Sequence, residues 1–331
     1  MTARECPYCE RRCLLGPEGG FCGRYAATPA GVVELYPHRY AAAWVSTIES
    51  LPVFHFHPGA RVLVLGGVGC NLDCAYCLNF YAARANPATS LPHHLSPERV
   101  VALARQSGCR AVVWALNEPL VSLPSLLETA AKARAAGLWV GALTNGYGTE
   151  MATRALGEAL DFVNASLKLL DETLARRWLG VTSARVVRRN LELLSGLTHL
   201  EVTTPVAEEI NHAELEAMAS FLRSLAPHLP WHLLRLQPEH RLADWPRPRV
   251  DRLQRRLKEL RKILPFTYLG NFPGSRWVST LCPCCGTELI VRVSLGGCGA
   301  RLQELRLRGN SCPRCGCPVP VIMAPGEEGG K

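Results

Sequence analysis

The middle of the chain alternates short β-branched runs with amphipathic helical patterns, and this alternation limits the possible folds more than any other feature. A helical pattern begins at Ser96, an N-cap residue, with Pro97 in the first helical position. Strands separated by single helices pair in parallel through right-handed crossovers. We therefore predict an α/β fold, a partial (β/α)6 TIM-like barrel with its chemistry at the loops that follow the strands. The predicted strands are residues 61–65, 111–115, 138–144, 162–167, 200–204 and 232–236.

Composition is that of an ordinary globular protein: 331 residues, of which 48% are hydrophobic and 20% charged. No apolar run approaches the length of about 18 residues that a membrane helix needs, and the first residues contain no apolar signal segment. We expect a cytoplasmic protein without a membrane partner. The net charge of +9 is only weak evidence for nucleic-acid binding. The basic segment 247–262 has leucines at helical spacing, which predicts an amphipathic helix rather than a nucleic-acid-binding surface.

The 15 cysteines are unevenly distributed. Apart from Cys109, they fall into three groups, and none lies between Cys109 and Cys282. Clusters of this kind in a long chain without a signal segment favour metal binding over a disulfide framework. The groups are Cys6, Cys9, Cys13 and Cys22; Cys70, Cys74 and Cys77; and Cys282, Cys284, Cys285, Cys298, Cys312, Cys315 and Cys317.

The central group has the spacing C-x3-C-x2-C and directly follows the first predicted strand and a glycine-rich turn, residues 66–69. Three thiolates from one short loop can hold three corners of a 4Fe–4S cluster and leave one iron open. Glycines tolerate positive φ and let a backbone wrap around a bulky group. The alternative is a zinc site in which a distant His or Cys supplies the fourth ligand.

This spacing, at the end of the first strand of a βα-repeat chain, resembles the signature of the radical S-adenosylmethionine (radical SAM) superfamily. Further motifs, taken in order, are similar to those of the radical SAM member of the AmmeMemoRadiSam system, a relative of the pyruvate formate-lyase activating enzymes. These motifs are Ser50–Gly59, Asn117-Glu118-Pro119, Thr144-Asn145-Gly146-Tyr147, Ser166-Leu167-Lys168, Glu201–Pro205 and Pro230-Trp231-His232.

The resemblance implies that S-adenosylmethionine chelates the open iron and is cleaved reductively to a 5′-deoxyadenosyl radical, which abstracts hydrogen from a substrate. It implies that Asn117 and Glu118 receive the amino group of the cofactor and that Lys168 pairs with its carboxylate. Tyr76 and His240 match positions beside the adenosine, and Asn145 belongs to the same cofactor-binding set. A helix-start carboxylate is the alternative for Glu118, and a surface position is the alternative for Lys168 and for His240. No catalytic side chain is assigned.

The flanking cysteines predict further metal sites. Cys282, Cys285, Cys312 and Cys315 form two C-x2-C knuckles, which are typical of a zinc ribbon; a rubredoxin-like iron site is the alternative. Cys284, Cys298 and Cys317 are left as spare residues. Cys6, Cys9, Cys13 and Cys22 predict zinc or an auxiliary iron–sulfur cluster, and the knuckle spacing favours zinc.

Four segments follow from these motifs: a Cys-rich N-terminal module (1–50), a radical SAM core (51–275), a zinc ribbon (276–323) and a flexible tail (324–331). A low-potential electron donor, ferredoxin or flavodoxin, is implied as a partner. The first hypothesis for the substrate is a partner protein, as in glycyl radical activation. One alternative is radical modification of RNA or of a small molecule. The other is a non-catalytic nucleic-acid-binding protein whose fold is stabilised by bound metal.

Overall fold

The structure, a computed structural model, describes residues 3–16 and 18–323. The predicted tail, 324–331, lies outside them. The described strands are β1 (Arg4–Glu5), β2 (Leu14–Leu15), β3 (Tyr25–Thr28), β4 (Gly31–Glu34), β5 (Arg39–Tyr40), β6 (Ala42–Thr47), β7 (Arg61–Gly66), β8 (His93–His94), β9 (Ala111–Ala115), β10 (Trp139–Thr144), β11 (Phe162–Ser166), β12 (His199–Val206), β13 (Trp231–Arg235), β14 (Thr267–Gly270), β15 (Thr280–Leu281), β16 (Glu288–Val293) and β17 (Arg301–Leu305). The described α-helices are α1 (Phe80–Ala83), α2 (Pro97–Gln106), α3 (Leu123–Ala135), α4 (Glu150–Ala159), α5 (Glu172–Leu179), α6 (Arg185–Ser195), α7 (Leu215–Leu225) and α8 (Val250–Ile263).

The predicted α/β fold is confirmed. Eight strands form one mostly parallel sheet in the order β14-β13-β12-β11-β10-β9-β7-β6. All six predicted strands are present, as β7 and β9–β13, and helices lie between them in the chain. A further parallel strand, β14, pairs with β13 and was missed by the sequence analysis. Its four residues, Thr267–Gly270, are too few to give a readable periodicity.

Local sequence accounts for where the helices begin. The side chain of Ser96 accepts a hydrogen bond from the backbone N–H of Arg99, so the predicted N-cap of α2 is confirmed. Thr149 caps α4 in the same way, and Asp171 caps α5. Each cap satisfies an N–H that the helix itself leaves free. The caps therefore fix the points at which the chain turns back towards the sheet.

The chain divides into two compact units. The first contains residues 1–46, 61–199 and 239–243. It holds the parallel strands β7, β9, β10 and β11, together with the N-terminal hairpins β1–β2 and β3–β4. Within this unit, Tyr25 fastens the N-terminal residues: its hydroxyl donates to the carbonyl of Leu120 (2.7 Å) and accepts from the N–H of Leu123 (3.0 Å).

The second unit contains residues 47–60, 200–238 and 244–331. It holds the parallel strands β12, β13 and β14 and the antiparallel sheet β15–β16–β17. A buried polar cluster made of Glu201, His232, His55, Tyr268 and Arg292 lies inside it. These units follow contacts rather than motifs, so the predicted boundaries at residues 50, 275 and 323 stay predictions. In the described part of the chain, no helix combines the length and the hydropathy needed to cross a membrane.

Candidate metal and cofactor site

The loop that follows β7 carries the three central cysteines. Gly69, directly before Cys70, has φ +91, and a Cβ there would lie 2.7 Å from the backbone oxygen of Cys22. Only glycine fits this position without displacing backbone. The glycine-rich turn thus brings Cys70 against the N-terminal module.

Backbone hydrogen bonds hold the Cys74 side of the loop. Its residues Asp73 and Ala75 donate to the carbonyls of Leu179 (2.9 Å) and Trp178 (2.8 Å), at the end of α5. The carbonyl of Ala75 in turn accepts from the N–H of Arg241 (3.0 Å). The loop is therefore fixed on both sides of Cys74 before any metal binds.

Asp73 adds an ionic clamp that the sequence analysis did not find. Its carboxylate pairs with Arg84 and with Arg241, at 2.9 Å in each case. Desolvation raises the pKa of Asp73, but hydrogen bonds and charge from the two arginines outweigh it and leave the pKa below its usual value. Local sequence patterns do not indicate ion pairs between residues as far apart in the chain as Asp73 and Arg241.

The thiols of Cys70, Cys74 and Cys77 are free. Burial raises the pKa of Cys70 and raises that of Cys74 to about 11, although the charge of Lys168 lowers the latter. Buried thiols of this kind need a cationic group to exist as thiolates. The donor set, three thiols on one wrapped loop, fits a cluster with one iron left open.

Asn145, at the end of β10, lies against the first of these thiols. Its Nδ2 is 3.5 Å from the Sγ of Cys70 and 2.7 Å from the Oδ1 of Asn71. Asn71 is itself buried and donates to the carbonyl of Tyr147 (3.1 Å). Asn71 is a further site residue that the sequence analysis missed, because an Asn beside a Cys is not a distinctive pattern.

Asn117 braces the glycine-rich turn. Its Oδ1 accepts from the N–H of Gly67 (2.9 Å), and its Nδ2 donates to the carbonyl of Gly69 (3.1 Å). The preceding residue, Leu116, has φ +78, a strained value for a residue with a branched side chain. The structure therefore gives Asn117 a positioning role at the turn.

Glu118 is 2% exposed and is surrounded by hydrogen-bond donors. Its Oε1 accepts from the N–H of Leu120 (3.1 Å) and from the hydroxyl of Thr144 (2.8 Å), while its Oε2 accepts from the N–H of Asn145 (2.7 Å). Desolvation raises the pKa of Glu118 to about 7 despite these bonds. Since a carboxylate offers about four acceptor positions, Oε2 retains one for a further donor.

The other predicted cofactor residues are brought to the same region. Lys168 lines a small pocket, together with Leu72 and Asn145. His240 has φ +57, and its ring stacks on that of Phe80, just after Cys77, at a centroid distance of 5.0 Å. Tyr76, between Cys74 and Cys77, is buried.

The C-terminal knuckles have the geometry of a single-ion site. The four sulfurs of Cys282, Cys285, Cys312 and Cys315 all lie within 4.8 Å of one another. The separations are 3.6 Å for Cys282–Cys315 and 3.7 Å for Cys285–Cys312, close to the edge of about 3.8 Å expected for a tetrahedron with Zn–S bonds of about 2.3 Å. These residues could hold one metal ion.

One pair of spare cysteines is used differently from the prediction. Cys284 and Cys317 form a disulfide, with Cα atoms 6.3 Å apart. Cys284 lies inside the first knuckle, and Cys317 lies two positions after the second, so that folding the knuckles together brings their sulfurs into contact. Their pairing could not be deduced from spacing alone.

The N-terminal cysteines also lie together. Cys6, Cys9, Cys13 and Cys22 are free thiols that line one pocket. Burial raises the pKa of Cys6, Cys9 and Cys22 to about 11 each. Among the described residues, the groups of three or more ligand atoms within 4.8 Å of one another are C-terminal, and the N-terminal four are not among them.

Comparison with known proteins gives the class of the domain. Residues 64–222 match the family model described as the Radical SAM superfamily. The chain is 26% identical over 324 residues to the uncharacterized protein MJ0808 of Methanocaldococcus jannaschii, covering 96% of each sequence.

Solved structures with related chains include a domain of pyruvate-formate lyase-activating enzyme from Bacteroides vulgatus (19% identity, 48% of this chain and 98% of that one, TM-score 0.42). Another is Streptococcus suis SuiB bound to the precursor peptide SuiA (13% identity, 62% and 47%, TM-score 0.49).

Residues 64–222 therefore form a radical SAM domain, as the resemblance in the sequence implied. Members of this superfamily are enzymes, and the family implies a 4Fe–4S cluster and S-adenosylmethionine. The match covers β7, with the cysteine loop, through α7.

Proposed function

We propose that this protein is a radical SAM enzyme whose 4Fe–4S cluster is held by Cys70, Cys74 and Cys77. The observation that carries the proposal is one loop with three free thiols, wrapped by glycines and braced by Asn117, inside a radical SAM domain. When bound, the cluster supplies the electron that cleaves S-adenosylmethionine to methionine and a 5′-deoxyadenosyl radical.

The side chains of this site prepare the place where the cofactor binds. Glu118 keeps an acceptor position for its ammonium group, and Lys168 supplies the cation for its carboxylate. The burial of Glu118 strengthens such charged contacts because water does not screen them. Tyr76 lies in the loop between Cys74 and Cys77, and the ring of His240 stacks on Phe80, just after the loop. Both side chains would pack against the adenosine.

We further propose that the substrate is a partner protein and that the chain acts as an activating enzyme of the AmmeMemoRadiSam type. The support is the series of motifs at successive strand ends, from Asn117 to His232. A ferredoxin or flavodoxin would supply the electron. Radical modification of RNA or of a small molecule remains the second candidate, favoured only by the net charge of +9.

We propose zinc at Cys282, Cys285, Cys312 and Cys315, as a structural site. Sulfur separations of 3.6 and 3.7 Å match a closed tetrahedral shell. Such a site would hold the ends of β15–β17 together, beside the apolar core that Leu289 and Ile290 contribute to.

The test is turnover of the anaerobically reconstituted full chain with dithionite. We expect 5′-deoxyadenosine and methionine in equal amounts. Cys74→Ala should abolish both products and leave the zinc content unchanged, whereas Cys109→Ala, at a buried cysteine outside the clusters, should retain them. Absence of both products from a chain with a verified cluster would falsify the proposed activity.

A further inference from the structure

The N-terminal cysteines stand farther apart than the ligands of a single-ion site. Cys6, Cys9, Cys13 and Cys22 line one pocket. At the C-terminal knuckles the four sulfurs all lie within 4.8 Å of one another; the N-terminal four are not among such groups in the described residues. A zinc ion draws its four thiolates to about 3.8 Å from each other.

A cubane cluster requires the wider arrangement. Each of its four thiolates binds a different iron at a different corner, so that the sulfurs stand apart with the inorganic core between them. The rest of the pocket is mostly apolar, with Leu15, Tyr25, Leu120 and Val121 among its walls. These apolar side chains would limit the access of water to the cluster.

The pocket also adjoins the central loop. Asn71 is one of its lining residues, together with Cys9. The Cys70 thiol lies 3.9 Å from the Oδ1 of the same side chain. A single buried amide therefore separates the N-terminal thiols from the central ones. The contact of Gly69 with the carbonyl of Cys22 joins the two groups at a second point.

We propose that Cys6, Cys9, Cys13 and Cys22 hold a second 4Fe–4S cluster, fully ligated by the protein and adjacent to the first across Asn71. This choice reverses the preference for zinc that the knuckle spacing suggested. Only the first cluster, beside which the second is placed, rests on the proposed function. The assignment of the second cluster depends on the N-terminal residues alone.

The first test is metal content after anaerobic reconstitution of the full chain. We expect about eight irons and one zinc per chain. About four irons with two zincs would overturn the proposal. The triple variant Cys70→Ala, Cys74→Ala, Cys77→Ala should keep about four irons and show a reduced-cluster EPR signal that S-adenosylmethionine does not alter.

The complementary variant is Cys9→Ala with Cys13→Ala. It should keep about four irons, in a cluster whose EPR signal does respond to S-adenosylmethionine. Cys109→Ala, as the matched control, should keep both clusters. If the triple variant loses all its iron while this double variant loses none, the second cluster is excluded. If the double variant alone loses all iron, the N-terminal cluster stands and the proposed function fails.

The second test concerns adjacency and does not depend on the folding of any variant. In the fully reduced wild-type protein, two neighbouring paramagnetic clusters should couple, so that the EPR signal is broadened or split and relaxes faster. A wild-type spectrum that is the simple sum of two uncoupled clusters, unchanged by temperature and microwave power, would overturn the placement across Asn71.

Discussion

The carboxylate of Glu118 accepts a hydrogen bond of 2.7 Å from the backbone N–H of Asn145, and this bond joins the ends of two neighbouring strands, β9 and β10. The amide side chain of the same Asn145 lies against the Sγ of Cys70. A residue that the resemblance assigns to cofactor binding thus also organises the backbone that presents the cysteine loop.

The first prediction concerns pH. Since burial raises the pKa of Glu118 from 4.5 to about 7, the folded, metal-free protein binds this proton more tightly than the unfolded chain. The protonated carboxyl of Glu118 then contributes on the order of 3 kcal/mol to the free energy of unfolding. This contribution is full below about pH 4.5 and is lost as the pH rises to about 7.

Denaturant unfolding at several pH values measures this contribution, with Glu118→Gln as the comparison. The variant should be less stable at low pH, because its amide NH₂ meets N–H donors, but its stability should depend less steeply on pH between 4.5 and 7. Parallel pH profiles for the two proteins would contradict the assignment.

The second prediction concerns the amide beside Cys70. Asn145→Ala removes the donor that lies 3.5 Å from the sulfur. Hydrogen bonds to cluster sulfurs raise the reduction potential, so the variant's central cluster should have a potential lower by tens of millivolts. Potentiometric titration followed by EPR measures the shift. An unchanged potential, with the cluster content intact, would show that the contact has no electronic effect.

The third prediction concerns Asp73 and Arg241. Their ion pair is short, 2.9 Å, but the side chains are 36% and 48% exposed. Water and salt screen such a pair, so a double-mutant cycle with Asp73→Ala and Arg241→Ala should give a coupling energy below about 1 kcal/mol. The larger effect should be on iron retention during dilution, since both residues also hold the backbone near Cys74. A coupling energy of several kcal/mol would be inconsistent with this exposure.

The fourth prediction concerns the buried pair of the second unit. Glu201 accepts hydrogen bonds from His232 (2.6 Å) and from the N–H groups of Phe54 (2.9 Å) and His55 (2.7 Å). Glu201→Ala leaves these donors without an acceptor inside the protein and should lower the free energy of unfolding by about 3–5 kcal/mol. Glu216→Ala, at an exposed helix position, is the control and should change it by less than about 0.5 kcal/mol.

The fifth prediction concerns the knuckles. A strong zinc chelator, or Cys285→Ser, should remove one metal ion and increase hydrogen exchange in residues 280–321, because β15–β17 depend on the site for closure. Exchange in β9 and β10 should be unchanged. Protection of the knuckle strands that survives metal removal would indicate that the antiparallel sheet is stable by itself.

By itself, the sequence determined the α/β class and the six main strands, and it predicted the class of chemistry at Cys70, Cys74 and Cys77. These are local properties: periodicity, caps and ligand spacing are read within a few residues. Ser96 and the run 111–115 are examples, since each matches the structure to within a residue.

Tertiary structure alone decided which distant residues meet. Asn71 lines the pocket of the N-terminal cysteines, Arg241 forms an ion pair with Asp73, and Cys284 pairs with Cys317. Arg241 and Asp73 are 168 positions apart, and Cys284 and Cys317 are 33 positions apart. Nothing in the local pattern encodes these two contacts. The width of the space between four thiols is likewise a property of the folded chain, because the same spacing of cysteines can close on an ion or stand around a cluster.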